Sequence, residues 1–153
     1  MKSPLSGGIL GKRYNRTLHG RSVHRKTDVP GHNVCIGYSR PGTGDGLDIF
    51  CPASTEVYAM HDGVVQIIKD RNGRLSYVYI RNGRTFTVYA HIYVKASLQV
   101  GSTVKAGELI GWVNKILKDP HLHLEVWPDG KILHDSKPAG LAKKIQELIA
   151  NNG

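Results

Sequence analysis

Two runs with strand-like alternation, Leu75–Ile80 and Thr85–Ile92, stand on either side of Asn82-Gly83. Asn-Gly supplies the two positive φ angles of a type I′ turn, whose twist suits paired strands. The two runs are therefore predicted to form an antiparallel hairpin. A second Asn-Gly, Asn72-Gly73, is predicted to join the preceding run, Val64–Lys69, in the same way. Three consecutive antiparallel strands follow, and they commit the chain to a sheet-based architecture.

The rest of the chain extends this pattern. Val34–Tyr38, Leu47–Phe50 and Glu56–Met60 read as further strands, with a loop rich in turn formers over Ser39–Gly46. His61-Asp62-Gly63 reads as the turn before Val64–Lys69. Val100–Gly111 shows short alternating pieces broken by glycine, as at the corners of a small β sandwich or barrel. His121–Trp127 is a predicted strand, Pro128-Asp129-Gly130 a turn and Lys131–His134 a short strand. Gly140–Ala150 is the one predicted helix, with Leu141, Ile145, Leu148 and Ile149 on one stripe. The expected fold is mainly β, a small antiparallel sandwich or barrel-like sheet with a C-terminal helix. The expected division is a basic irregular arm over 1–32, a β domain over 33–138 and a helix over 139–153 that packs on it.

At 153 residues the chain suffices for one well-formed core. No apolar run approaches the roughly 18 residues of a membrane span. The first eight residues lack the apolar core of a secretory signal. The expectation is synthesis in the cytoplasm or release as a mature fragment, with export by a route other than a secretory signal as the alternative. The formal charge is +9. Lys2, Lys12, Arg13, Arg16, Arg21, Arg25 and Lys26 face only Asp28 before residue 30. The plain reading is a solvated arm, and the functional one an arm that binds an anionic wall polymer. Nucleic acid is not an expected partner, since no recognised motif backs it. Cys35 and Cys51 are read as two buried thiols, with a single disulfide as the alternative.

The chemistry concentrates in His121-Leu122-His123-Leu124-Glu125. Alternate residues of a strand share a face, so His121 and His123 project side by side with Leu122 and Leu124 opposite. Two imidazoles on one face serve one metal ion, or one binds metal while the other handles a proton. The bland alternative is a solvent-facing polar strand. Asp48 alone reads equally as a turn carboxylate. His61 and His134 read as surface residues. Tyr77, Tyr79, Phe86, Tyr89 and Tyr93 read as packing, although Tyr89 lies two residues before His91 on one strand face and so also reads as lining a groove.

Five segments in order resemble the lysostaphin-like (LytM-type) zinc endopeptidases, which cut peptide bonds in bacterial peptidoglycan. They are Gly46-Leu47-Asp48-Ile49-Phe50-Cys51-Pro52, Thr55–Val65, Val88-Tyr89-Ala90-His91-Ile92, Val100–Gly111 and Pro120-His121-Leu122-His123-Leu124-Glu125-Val126. Together they span about residues 34–135. The resemblance implies the LytM-type fold with its duplicated hybrid motif and one zinc ion. It assigns metal binding to Asp48 and His123, and proton handling with transition-state support to His91 and His121. It implies a peptidoglycan stem peptide or cross-bridge as substrate, and with it action at the cell wall after synthesis in the cytoplasm, or a place in a phage particle.

The chain departs from that pattern at Gly44, four residues before Asp48, where the family places its first zinc-binding histidine. The stretch between Gly111 and Pro120 also lacks the family's Gly/Ser/Thr-rich loop. His32 is the favoured replacement ligand. His19, His24, Asp45, Cys35 and Cys51 are the alternatives, and Asp45 with Tyr89 is expected to border the substrate groove. Three readings compete: a zinc-dependent wall endopeptidase of the kind found as a phage or virion-associated lysin, a degenerate member that binds peptidoglycan or regulates another hydrolase, and a structural spacer in a phage particle.

Overall fold

Strand β10 (His121–Trp127) lies between β2 (Gly46–Phe50) and β6 (Thr85–Ala90), antiparallel to both. All seven of its residues are buried. The computed structural model describes residues 1–6, 9, 15–19, 46–116, 118, 120–135 and 138–151, with 15–19 and 138 described by their backbone alone. The large sheet has the order β1-β2-β10-β6-β5-β4-β8, adding β1 (Asn15–His19), β5 (Tyr77–Asn82), β4 (Gly63–Lys69) and β8 (Thr103–Val104). A second sheet has the order β3-β9-β7, built from β3 (Glu56–Tyr58), β9 (Leu109–Val113) and β7 (Ile92–Val94). Every pairing among the described residues is antiparallel. Helix α1 (Pro138–Asn151) packs against β1 and β2. The mainly β fold with one C-terminal helix is the one expected from the sequence.

Alternation places the core between the sheets. Leu47 and Ile49 of β2, Leu122, Leu124 and Val126 of β10, and Val78 and Ile80 of β5 form one inner face. Val57, Ile92, Ile110 and Val113 of the small sheet join the same cluster, as do Leu141, Ala142 and Ile145 of α1. The predicted helical stripe is thus the packed one. Leu5 and Ile9 are buried in this core as well. No helix among the described residues is long and apolar enough to cross a membrane.

The structure corrects several local expectations. Residues 15–19, read as part of an irregular arm, form edge strand β1 along β2. Asn82 pairs with Thr85, so the two-residue loop is Gly83-Arg84 rather than Asn82-Gly83. Only Gly83 has a positive φ (61°), which is the glycine-first pattern of a II′ loop and not the predicted I′. Asn72-Gly73 lies within a longer loop between Lys69 and Tyr77, where the positive φ falls on Asp70. Lys131–His134 forms no strand. After the 3-10 turn at Pro128–Gly130, the backbone of this stretch returns a bond to the sheet from Leu133 N–H to Val126 O at 2.8 Å. Val34–Tyr38 lies outside the described residues.

His61 is also not the surface residue it was read as. It is 9% exposed, with Nε2 2.9 Å from the Thr87 hydroxyl and Nδ1–H donating to Asp62 O at 2.7 Å. Thr87 and Tyr89 hydroxyls are hydrogen-bonded at 2.8 Å, and Met60 N–H donates to the Tyr89 hydroxyl at 2.8 Å. These hydrogen bonds occupy both ring nitrogens of His61, which is why a histidine is tolerated there.

Two outcomes follow. Leu124 is 1% exposed and sits between Leu47 and Tyr89 in register, so Leu124→Ala should cost about 2–5 kcal/mol in denaturant unfolding. Burial holds the His61 pKa below its ordinary 6.5. The native state therefore binds fewer protons than the unfolded chain. The His61 contribution to stability is complete above pH 6.5 and is lost as pH falls through the folded value. His61→Gln should therefore flatten the acid limb of stability against pH, measured by thermal unfolding from pH 7 to pH 4; an unchanged slope would refute this.

Candidate active site

The outer face of β10 carries His121, His123, Glu125 and Trp127, opposite the Leu122, Leu124 and Val126 face. Register brings His123 against Asp48 of β2 on one side and Ala90 of β6 on the other. The Asp48 Oδ1 to His123 Nδ1 distance is 2.9 Å, and Asp48 Oδ1 lies 3.8 Å from His121 Nε2. All three residues are buried. The aromatic ring of Phe50, next to Asp48 on the same face, lies 4.9 Å from the His121 ring.

His91 reaches this face by a bend. Tyr89 pairs with Leu124 and belongs to the inner, apolar face, and simple alternation would send His91 there too. Instead β6 ends at Ala90, and His91 adopts φ 64°, which breaks the alternation. Its ring comes to 4.8 Å from His121 and 6.1 Å from His123. Buried Ser76 clamps the bend. Its carbonyl accepts His91 N–H at 2.9 Å, and its hydroxyl donates to Ile92 O at 2.6 Å and accepts Ile92 N–H at 3.0 Å. A left-handed φ at a non-glycine residue costs of order 1–3 kcal/mol, and such strain clusters at functional sites.

Behind His123 stands Glu125, to which the motif assigns no role. Glu125 Oε2 lies 3.0 Å from His123 Nε2, and Glu125 Oε1 accepts the Trp127 indole N–H at 3.1 Å. Glu125 is 1% exposed. The signal was present in the same alternation, since Glu125 follows His121 and His123 on one face. A carboxylate behind a histidine fixes which ring nitrogen faces the site.

The electrostatics separate the histidines. Burial, with the neighbouring His121, pushes His91 down to about 4, although the Arg74 carbonyl works the other way. His91 is thus neutral near pH 7. Its Nδ1–H donates to Arg74 O at 3.0 Å, which leaves the Nε2 lone pair available. Burial also acts to lower His123, but the Asp48 and Glu125 carboxylates outweigh it and hold the group up at about 10.

Other expected site residues fall elsewhere. Tyr89 is fully buried, with its hydroxyl in the His61–Thr87 chain and its phenol pushed up to about 12 by burial, so it does not line a groove. Cys51 is a buried free thiol bonded to Ile49 O at 3.5 Å, within the core cluster, and its pKa is raised by burial. Ile49 shares that inner side, opposite Asp48, so Cys51 does not serve as the replacement ligand. His134 is exposed, as expected. His19 ends β1 opposite Gly46. His24, His32, Cys35, Gly44 and Asp45 lie outside the described residues. Asp48 Oδ1 and His123 Nδ1 are donor types that zinc accepts. Among the described residues no three His, Cys, Asp or Glu side chains are arranged to hold a metal ion.

A model of Peptidase family M23 matches residues 42–134, the stretch that contains all four site residues. The chain belongs to peptidase family M23. It is 34% identical over 88 residues to the peptidoglycan DD-endopeptidase ShyC of Vibrio cholerae, covering 56% of this chain and 20% of that one. The chain thus spans about a fifth of that curated relative's length. A variant of the catalytic domain of the prophage-encoded M23 protein EnpA from Enterococcus faecalis shares the fold. It superposes with a TM-score of 0.54 at 23% identity, over 83% of this chain and 92% of that one. A zinc-containing peptidase from Vibrio cholerae has a TM-score of 0.55 at 22% identity, covering 88% and 40%. The M23 fold neighbours agree with the LytM-type resemblance read from the motifs.

Gly46 holds the M23 site together by having no side chain. A Cβ there would stand 2.5 Å from Leu124 O and 3.0 Å from both His123 Cε1 and Glu125 Cγ. Gly46→Ala should therefore cost about 1–3 kcal/mol in denaturant unfolding and shift the His123 ring resonances in NMR spectra. Unmoved resonances at unchanged stability would contradict this packing.

Proposed function

We propose that the chain is a zinc-dependent endopeptidase that cleaves peptide bonds in peptidoglycan at the cell wall. The observation that carries this reading is the convergence of Asp48, His91, His121 and His123 on one face of the large sheet. Membership of family M23 and the likeness to a DD-endopeptidase support the reaction class and substrate.

Asp48 and His123 would hold the ion, with Glu125 setting the His123 ring so that Nδ1 faces Asp48. The third ligand in this proposal is His32, in place of the family histidine at Gly44. Zinc, when bound, supplies Lewis acidity toward the scissile carbonyl and lowers the pKa of its water toward about 7. His91, neutral near pH 7 and anchored through Nδ1 on Arg74 O, is the group to take a proton on Nε2. His121, between Phe50 and His91, supports the developing oxyanion. The basic residues before position 30 are proposed to draw the enzyme toward anionic wall polymers.

Gly44 favours a second reading, a member that holds peptidoglycan without cutting it. Metal content by mass spectrometry and release of soluble fragments from purified sacculi separate the two. The enzyme reading expects about one zinc per chain, lost in His123→Ala, and fragment release. In His121→Ala it expects zinc to remain while the rate falls about 10²–10⁴-fold. Absence of zinc after incubation with excess metal, or intact sacculi, would leave the binding reading in its place.

A further inference from the structure

The outer face of the large sheet continues past the histidines. Tyr77 of β5 pairs with Ala90, which pairs with His123; Tyr79 pairs with Val88, which pairs with Glu125. Ile67 and Lys69 of β4 pair with Tyr79 and Tyr77, while Arg81 pairs with Phe86, which pairs with Trp127. Ile67, Lys69, Tyr77, Tyr79, Arg81 and Phe86 therefore share the face of His123. Ile67 is 42% exposed, Lys69 and Arg81 are exposed, and the three rings are half-buried. The Tyr79 and Phe86 rings stack at 5.3 Å, and Phe86 meets Trp127 at 5.6 Å. Trp127 donates to Glu125, so the aromatic row runs into the site. Lys69 Nζ lies 5.9 Å from the Tyr77 ring centre. None of the six is acidic.

We propose that this shelf binds the glycan strand of peptidoglycan. Sugar rings would stack on Tyr77, Tyr79 and Phe86, with Lys69 and Arg81 donating to the hydroxyl and acyl oxygens at the rims of the rings. This rests on the peptidoglycan reading above. A contiguous aromatic and apolar face that is partly open to solvent is the form a binding surface takes. Two physical points select a sugar over an extended peptide. Strand β5 is interior, paired on both sides, so its backbone groups are occupied. A bound peptide strand takes its main-chain hydrogen bonds from a free sheet edge. A pyranose ring needs only an aromatic face and polar side chains at its rim. Distance agrees as well. Tyr79 lies two strands across and one side-chain row along from His123. At about 4.8 Å per strand and 6.8 Å per row, that is about 12 Å. Three to four extended residues span it, enough for a peptide that branches from the glycan to place an inner bond at the histidines.

The test is co-sedimentation of the full chain with purified sacculi stripped of other wall polymers. Tyr79→Ala and the double variant Lys69→Ala with Arg81→Ala should each weaken binding about tenfold. Both should cleave a glycan-free cross-linked peptide at the wild-type rate. Peptide-free glycan chains should compete with sacculi for the wild-type protein. Unchanged sedimentation of both variants, or no competition by glycan chains, overturns the proposal. Equal loss of glycan-free peptide cleavage also overturns it, because the shelf then holds peptide. If Tyr79→Ala does not fold, the exposed double variant carries the test. A wild-type protein that cuts neither substrate refutes the endopeptidase reading, and sedimentation with glycan competition still decides the shelf.

Discussion

The antiparallel register of β10 against β2 is the constraint on which core and site both depend. It sets Leu124 beside Leu47 and His123 beside Asp48 at once. A slip of one residue would turn the imidazoles inward and the leucines out. Burial of Leu122, Leu124 and Val126 resists that slip, each side chain contributing about 1.5–3 kcal/mol on removal from water. The hydrophobic core therefore fixes the position of the chemistry, and the site needs no loop to align Asp48 with His123.

That alignment carries an electrostatic cost. Asp48 and Glu125 are almost wholly buried, and a buried carboxylate without partners is strongly disfavoured. His123 stands between them, bonded to both at 2.9 and 3.0 Å. Trp127 takes the second oxygen of Glu125. Buried polar clusters of this kind add little net stability over apolar packing of the same shape. Their presence in a strand buried along its whole length is better explained by the geometry they impose on His123 than by any contribution to folding.

The legible and illegible parts of this chain differ in the range of the forces involved. His121–Trp127 could be bounded to the residue because a strand with one apolar face has a strict period of two. The helical stripe of Leu141 and Ile145 was legible for the corresponding reason, with both residues buried. The shift of the β5–β6 loop by one residue was not, since Asn-Gly serves I′ loops and Gly-Arg serves II′ loops, and cross-strand packing chooses between them. His91 was recognised by its motif, but its route to the site was not. A positive φ at histidine has no sequence signature, and the clamp that holds it, Ser76, is distant in the chain. Tyr89 faces the core for the same reason, because the bend at His91 separates the two residues that strict alternation would place on one face. His61 looked like a turn residue beside Asp62-Gly63; its burial depends on hydroxyls contributed by β6.

The His91 bend also explains how the sheet brings three imidazoles together. Neighbouring strands stand about 4.8 Å apart, and side chains on one face repeat about every 6.8 Å along a strand. Two histidines on β10 therefore fill consecutive rows of that face, and Ala90 of β6 is the residue directly beside His123. A histidine at position 90 would press against His123 and sit farther from His121. Placing it one residue later, beyond the strand end, and turning it back through a left-handed φ brings its ring to 4.8 Å from His121. The small side chain at Ala90 leaves the space this requires. The strain at His91 is thus the local cost of a spacing that a regular strand does not offer, and the three hydrogen bonds from Ser76 hold the backbone in that state.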